Sequence, residues 1–80
     1  MDDHEIVTRI NELAERERQL EESHVGEELT PEEDEQRRKL EVALDQCWDL
    51  LRQRRARRNA GQDPDDASVR PESVVEHYRQ

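Results

Sequence analysis

The chain has no Phe, and Trp48 and Tyr78 are its only aromatic residues. It holds one Cys, one Met, two Gly and three Pro in 80 residues. Apolar residues make up 30% and charged residues 44%, so a large core is excluded and only periodicity argues for folding. One Cys cannot close a disulfide within the chain, which fits a reducing cytoplasm. No run approaches the roughly 18 apolar residues of a membrane span. Met1-Asp2-Asp3-His4-Glu5 is acidic where a secretory leader would be basic. His4, His24 and His77 lie in separate segments, and no CxxC, HxxxH or HExxH spacing occurs. No metal, cofactor or catalytic residue is therefore expected. A Gly-rich phosphate loop and a Ser/His/Asp set are missing too. The pairs Glu21-Glu22, Glu27-Glu28 and Glu32-Glu33 sit in polar surroundings that would not raise their pKa, so they read as solvated surface. These absences together argue against an enzyme.

What is present is concentrated in Leu40 to Arg58, LEVALDQCWDLLRQRRARR. Leu40, Ala43, Leu44, Cys47, Leu50 and Leu51 fall on one stripe of a 3.6-residue helix, flanked by Val42 and Trp48. Glu41, Asp45, Gln46, Asp49, Arg52 and Gln53 form the other face, which water can hold. Asp45 and Asp49 precede Arg52 in the order that favours helical ion pairs. Thr30-Pro31-Glu32-Glu33 marks the start, with Thr30 as N-cap and Glu33 placed for a capping box. Asn59-Ala60-Gly61 marks the stop.

An earlier helix has its stripe at Ile6, Val7, Ile10, Leu13, Ala14 and Leu20. Glu17 stands where an apolar residue is expected on this heptad seam. The predicted elements are a helix over about 4–23, a loop over 24–30 and a helix over about 31–59. Residues 1–61 form the hairpin. Residues 62–80 are an acidic linker followed by a tail or docking segment, with Val74, Val75 and Tyr78 as its apolar patch. Residues 1–35 carry 14 acids and 3 Arg, whereas 36–60 carry 8 bases and 3 acids. That contrast favours antiparallel pairing of the two arms. The expected fold is all-α: a coiled-coil-like antiparallel two-helix hairpin with a short C-terminal segment.

A turn centred near Glu27 opposes Leu13 to Leu40, Ile10 to Leu44 and Ile6 to Trp48. Leu50 and Leu51 then run past the first helix and need a cover, either the C-terminal segment or a second copy. A hairpin this thin is expected to self-associate, with a homodimer favoured. Its core would be Ile6, Ile10, Leu13, Leu40, Leu44, Cys47, Leu50 and Leu51.

Arg52, Arg54, Arg55, Arg57 and Arg58, with Trp48 nearby, are the candidate contact residues. The first reading is a surface offered to an unknown protein partner by a small helical interaction protein. The alternative is phosphate binding by an accessory RNA- or DNA-associated protein of the ribosome or transcription apparatus. A net charge of -9 and the lack of interleaved aromatics disfavour nucleic acid. A redox role for Cys47 would need a neighbouring base.

LDQCWDLLRQRRARR followed by DPDDASVRPESVVEHY resembles a family of short actinobacterial proteins of unknown function. The MDD start and INEL in the first helix match it as well. The resemblance implies a free-standing cytoplasmic bacterial protein, and it brings no activity, cofactor or site residue with it.

Overall fold

A computed structural model describes residues 1–23 and 26–75. The protein is an all-α hairpin: α1 (Asp3–Glu22) packs against α2 (Pro31–Asn59). A 3₁₀ turn (Pro64–Asp66) and a short α3 (Glu72–Val75) follow and pack back on α2. No strand occurs among the described residues.

Local chemistry sets each boundary. Asp2 caps α1, accepting from the Glu5 amide at 2.8 Å while Glu5 accepts from the Asp2 amide at 3.1 Å. Thr30 and Glu33 make the same reciprocal pair at 3.2 and 3.0 Å, and Pro31 supplies a φ already suited to a first turn. α2 ends where Gly61 takes φ +72°, so that the Gln62 amide reaches the Arg57 carbonyl at 2.7 Å. The Gly61 amide reaches Arg58 at 3.2 Å, which completes a Schellman stop.

Ile6, Ile10, Leu50 and Leu51 form the buried cluster, with Leu44, Cys47, Trp48 and Ala67 packed against it. Leu13 is buried further along α1. The expected overhang of Leu50 and Leu51 is absent. The first turns of α1 reach them directly, and Ala67, from the segment after α2, helps to cover them. Asp3 explains the difference: its carboxylate is tied to Arg54 and Arg58, which draws the start of α1 beyond Trp48 and alongside the last turns of α2.

A second neighbour lies on the other side of α2. Ser68 to Glu72 runs antiparallel to α2 along the stripe Gln53, Asp49, Gln46 and Arg38. Those α2 positions stand roughly half a turn from the seam that meets α1. α2 is thus held between α1 on its apolar seam and this C-terminal strap on a polar stripe. Val75 of α3 is fully buried, whereas Val74 is exposed. Tyr78, the third member of the expected docking patch, lies outside the described residues.

Candidate interaction surfaces

The strap is fastened by a buried ion pair that helical periodicity had assigned to water. Asp49 has no exposed surface. Arg70 donates to it through Nε at 2.8 Å and through its terminal nitrogen. Gln53 donates to the same carboxylate at 2.9 Å and to the Ser68 carbonyl at 2.8 Å. Gln46 donates to the Arg70 carbonyl at 3.1 Å. Arg38 reaches Glu72 at 3.1 Å. Two glutamine side chains therefore satisfy strap carbonyls that a sheet or helix would otherwise have to serve. Asp49 is the correction here. Its carboxylate meets Arg70 instead of water because the strap covers that stripe. A signal did exist in the sequence: Arg38, Gln46, Asp49 and Gln53 share one helical face, and Arg70 is an isolated base in an acidic tail.

The arginine-rich end of α2 is partly consumed inside the fold. The Arg54 side chain is 8% exposed. Its Nε meets Asp3 at 2.6 Å, and one terminal nitrogen meets Asp65 at 3.0 Å and the Pro64 carbonyl at 3.3 Å. Arg58 takes the other Asp3 oxygen at 2.8 Å. The hydrogen bond from Arg54 is the main cause holding the Asp3 carboxyl below its usual range, and Arg58 adds to it against the opposing pull of desolvation. Arg52 and Arg55 are exposed, and Arg57 is half-buried. The five arginines therefore do not form one free phosphate-binding patch.

Cys47 and Trp48 are half-buried against the core cluster. Burial pushes the Cys47 thiol up, with Arg9 pulling weakly the other way, the opposite of an activated thiol. His4 is exposed, and His24 and His77 lie outside the described residues. Among the described residues no group of three or more His, Cys, Asp or Glu is placed to hold a metal ion.

An open surface lies on one flank of the hairpin, toward its turn. Here α1 and α2 leave a groove of about 590 Å³ floored by Leu13, Leu20, Leu40 and Ala43. Leu20 and Leu40 are only partly buried. Arg9, Arg16 and Lys39 stand around it. Arg9 has a long contact to Glu12 at 3.5 Å, and neither Arg16 nor Lys39 has an ion pair among the described residues. The opposite flank is acidic. Glu17, Glu21 and Glu41 each follow a groove residue by one position, about 100° further round the helix. Partial burial raises the Glu17 carboxyl, and Glu41 and Glu21 push the same way, with Arg37 opposing. Sequence reasoning missed the groove because its cations are scattered along two helices and only the hairpin brings them together.

Comparison with known proteins adds kinship. Residues 2–80 match the model of a family described as a protein of unknown function, DUF2630. Uncharacterized proteins of Mycobacterium tuberculosis H37Rv and Mycobacterium bovis are each 62% identical over 47 residues, which is 59% of this chain and 54% of the relative. The matched stretch thus spans about half the length of those relatives. No solved structure matches. The mycobacterial relatives agree with the actinobacterial resemblance noted in the sequence. No helix among the described residues is long and apolar enough to cross a membrane.

Proposed function

We propose that this chain, which belongs to the DUF2630 family of proteins of unknown function, is a non-enzymatic interaction protein of the cytoplasm. Its recognition surface is the groove between α1 and α2. The observation that carries this reading is that Leu20 and Leu40 stay partly open on an apolar floor, whereas Leu50 and Leu51 at the other end of the hairpin are closed by α1 and Ala67. A floor of this kind takes an apolar side chain from a partner, and the cations around it fix orientation. The arginine end of α2 is a weaker candidate because Arg54 and Arg58 are already bound to Asp3 and Asp65.

The test is a photo-crosslinking residue placed at Gln36, beside the groove, or at Arg55, on the exposed arginine end. Each protein is irradiated in its own cell lysate, with and without nuclease. Nuclease-resistant protein adducts from position 36 and few from position 55 are the expected result. Adducts from position 55 alone, lost on nuclease treatment, would replace this reading with the nucleic-acid one.

A further inference from the structure

We infer that the groove selects an acidic amphipathic helix of a partner protein. This rests on the groove being the recognition surface, as proposed above. The argument begins with charge. The chain is -9 overall, yet Arg9, Arg16 and Lys39 gather at one apolar groove. Among the described residues, Arg16 and Lys39 lack the ion pairs that Arg18, Arg37 and Arg38 make along their own helices. In a chain with 22 acids, cations at an open apolar floor are positioned to receive carboxylates from outside.

Shape gives the size of the occupant. From Arg9 to Leu20 the α1 wall is about 16 Å long at 1.5 Å per residue, which is about three turns of a docked helix. Such a helix would place Leu, Ile or Met side chains at i, i+3, i+4 and i+7 on Leu13, Leu20, Leu40 and Ala43. Glu or Asp side chains flanking that stripe would meet Arg9, Arg16 and Lys39.

A second copy of this chain fits less well. A two-fold contact through the groove would set these three cations against themselves, at a cost in like-charge repulsion. The buried residues Ile6, Ile10, Leu13, Leu50 and Leu51 are unavailable to a second copy unless the hairpin opens.

The experiment uses the full chain labelled with ¹⁵N and three synthetic helices of the same length and the same Leu stripe. The first is flanked by Glu, the second by Gln and the third by Lys. Amide shifts of Leu13, Leu20, Leu40 and Ala43 report binding, and sedimentation reports self-association. The Glu helix is expected to bind at least 10-fold more tightly than the Lys helix and to weaken several-fold between 50 and 300 mM salt. Arg16→Glu with Lys39→Glu should reverse that preference while circular dichroism stays unchanged, because both side chains are exposed. Equal binding of all three helices overturns the acidic selectivity and leaves the groove as the recognition surface. Failure of every helix to shift the groove amides overturns both. A dimer that protects the groove assigns it to a second copy and overturns the inference too.

Discussion

Arg70→Met should unfasten the strap, and its size can be worked from the structure. Asp49 has no exposed surface, whereas the Arg70 side chain is 39% exposed. Removing the guanidinium takes from a buried carboxylate the cation that meets both of its oxygens. If the strap stayed in place, breaking such a pair would cost about 3–5 kcal/mol. The strap can instead lift and let water in. That route gives up the burial of Val75, worth about 1.5–3 kcal/mol. It also loses the hydrogen bonds from Gln46 and Gln53 to strap carbonyls, worth about 0.5–1.5 kcal/mol each. The two routes are of similar size, so the loss is on the order of 3 kcal/mol whichever is taken. Hydrogen exchange should show faster exchange at the Ala67 and Val74 amides, which are hydrogen-bonded in the intact strap, with α1 and α2 still protected. The double variant Asp49→Leu with Arg70→Met should recover most of the loss, because well-packed apolar groups often replace a buried pair without cost. Unchanged exchange in Arg70→Met, or a double variant no better than the single one, would refute the reasoning.

Further outcomes are expected at four positions. Glu17→Leu should stabilise the hairpin by about 1 kcal/mol, raising Tm by roughly 4–8 °C, since it places an apolar residue on the seam and removes a carboxylate from beside Glu21 and Glu41. Glu17→Gln should also gain at neutral pH. Its advantage should vanish in acid titrations, because a raised pKa penalises folding above the folded value and the penalty is gone below about pH 4.3. Asp3→Asn should destabilise near neutral pH and match the parent in strong acid, because a lowered pKa gives stability above about pH 3.9 that is lost as pH falls through the folded value. Gly61→Ala should cost about 1 kcal/mol in denaturant melts, a purely conformational loss, since an added Cβ would meet nothing within 4 Å at φ +72°. Cys47 should react slowly with iodoacetamide at neutral pH and quickly in guanidinium, in keeping with a half-buried thiol whose pKa is raised.

The two long helices were legible because their signals are local. Thr30 and Glu33 act across three residues, and Gly61 acts on the turn just before it. Ile6, Ile10, Leu13, Leu50 and Leu51 were legible through periodicity. Docking of the C-terminal segment was legible as one of two alternatives, but its fastening was not, because it joins residues 15 to 34 positions apart through amide and carboxylate groups. Periodicity sorts such groups outward by default, so Asp49 was placed in water. The groove escaped for a related reason: Arg9, Arg16 and Lys39 each look like ordinary helix-surface charges until the hairpin closes.

Arg54 ties together parts of the chain that are far apart in sequence. Its carboxylate partners lie 51 residues before it and 11 after it, at Asp3 and Asp65. A polypeptide cut back to residue 61 keeps only the first of them, so a cation meant for burial is half-neutralised. Such a shortened hairpin should be looser than the full chain.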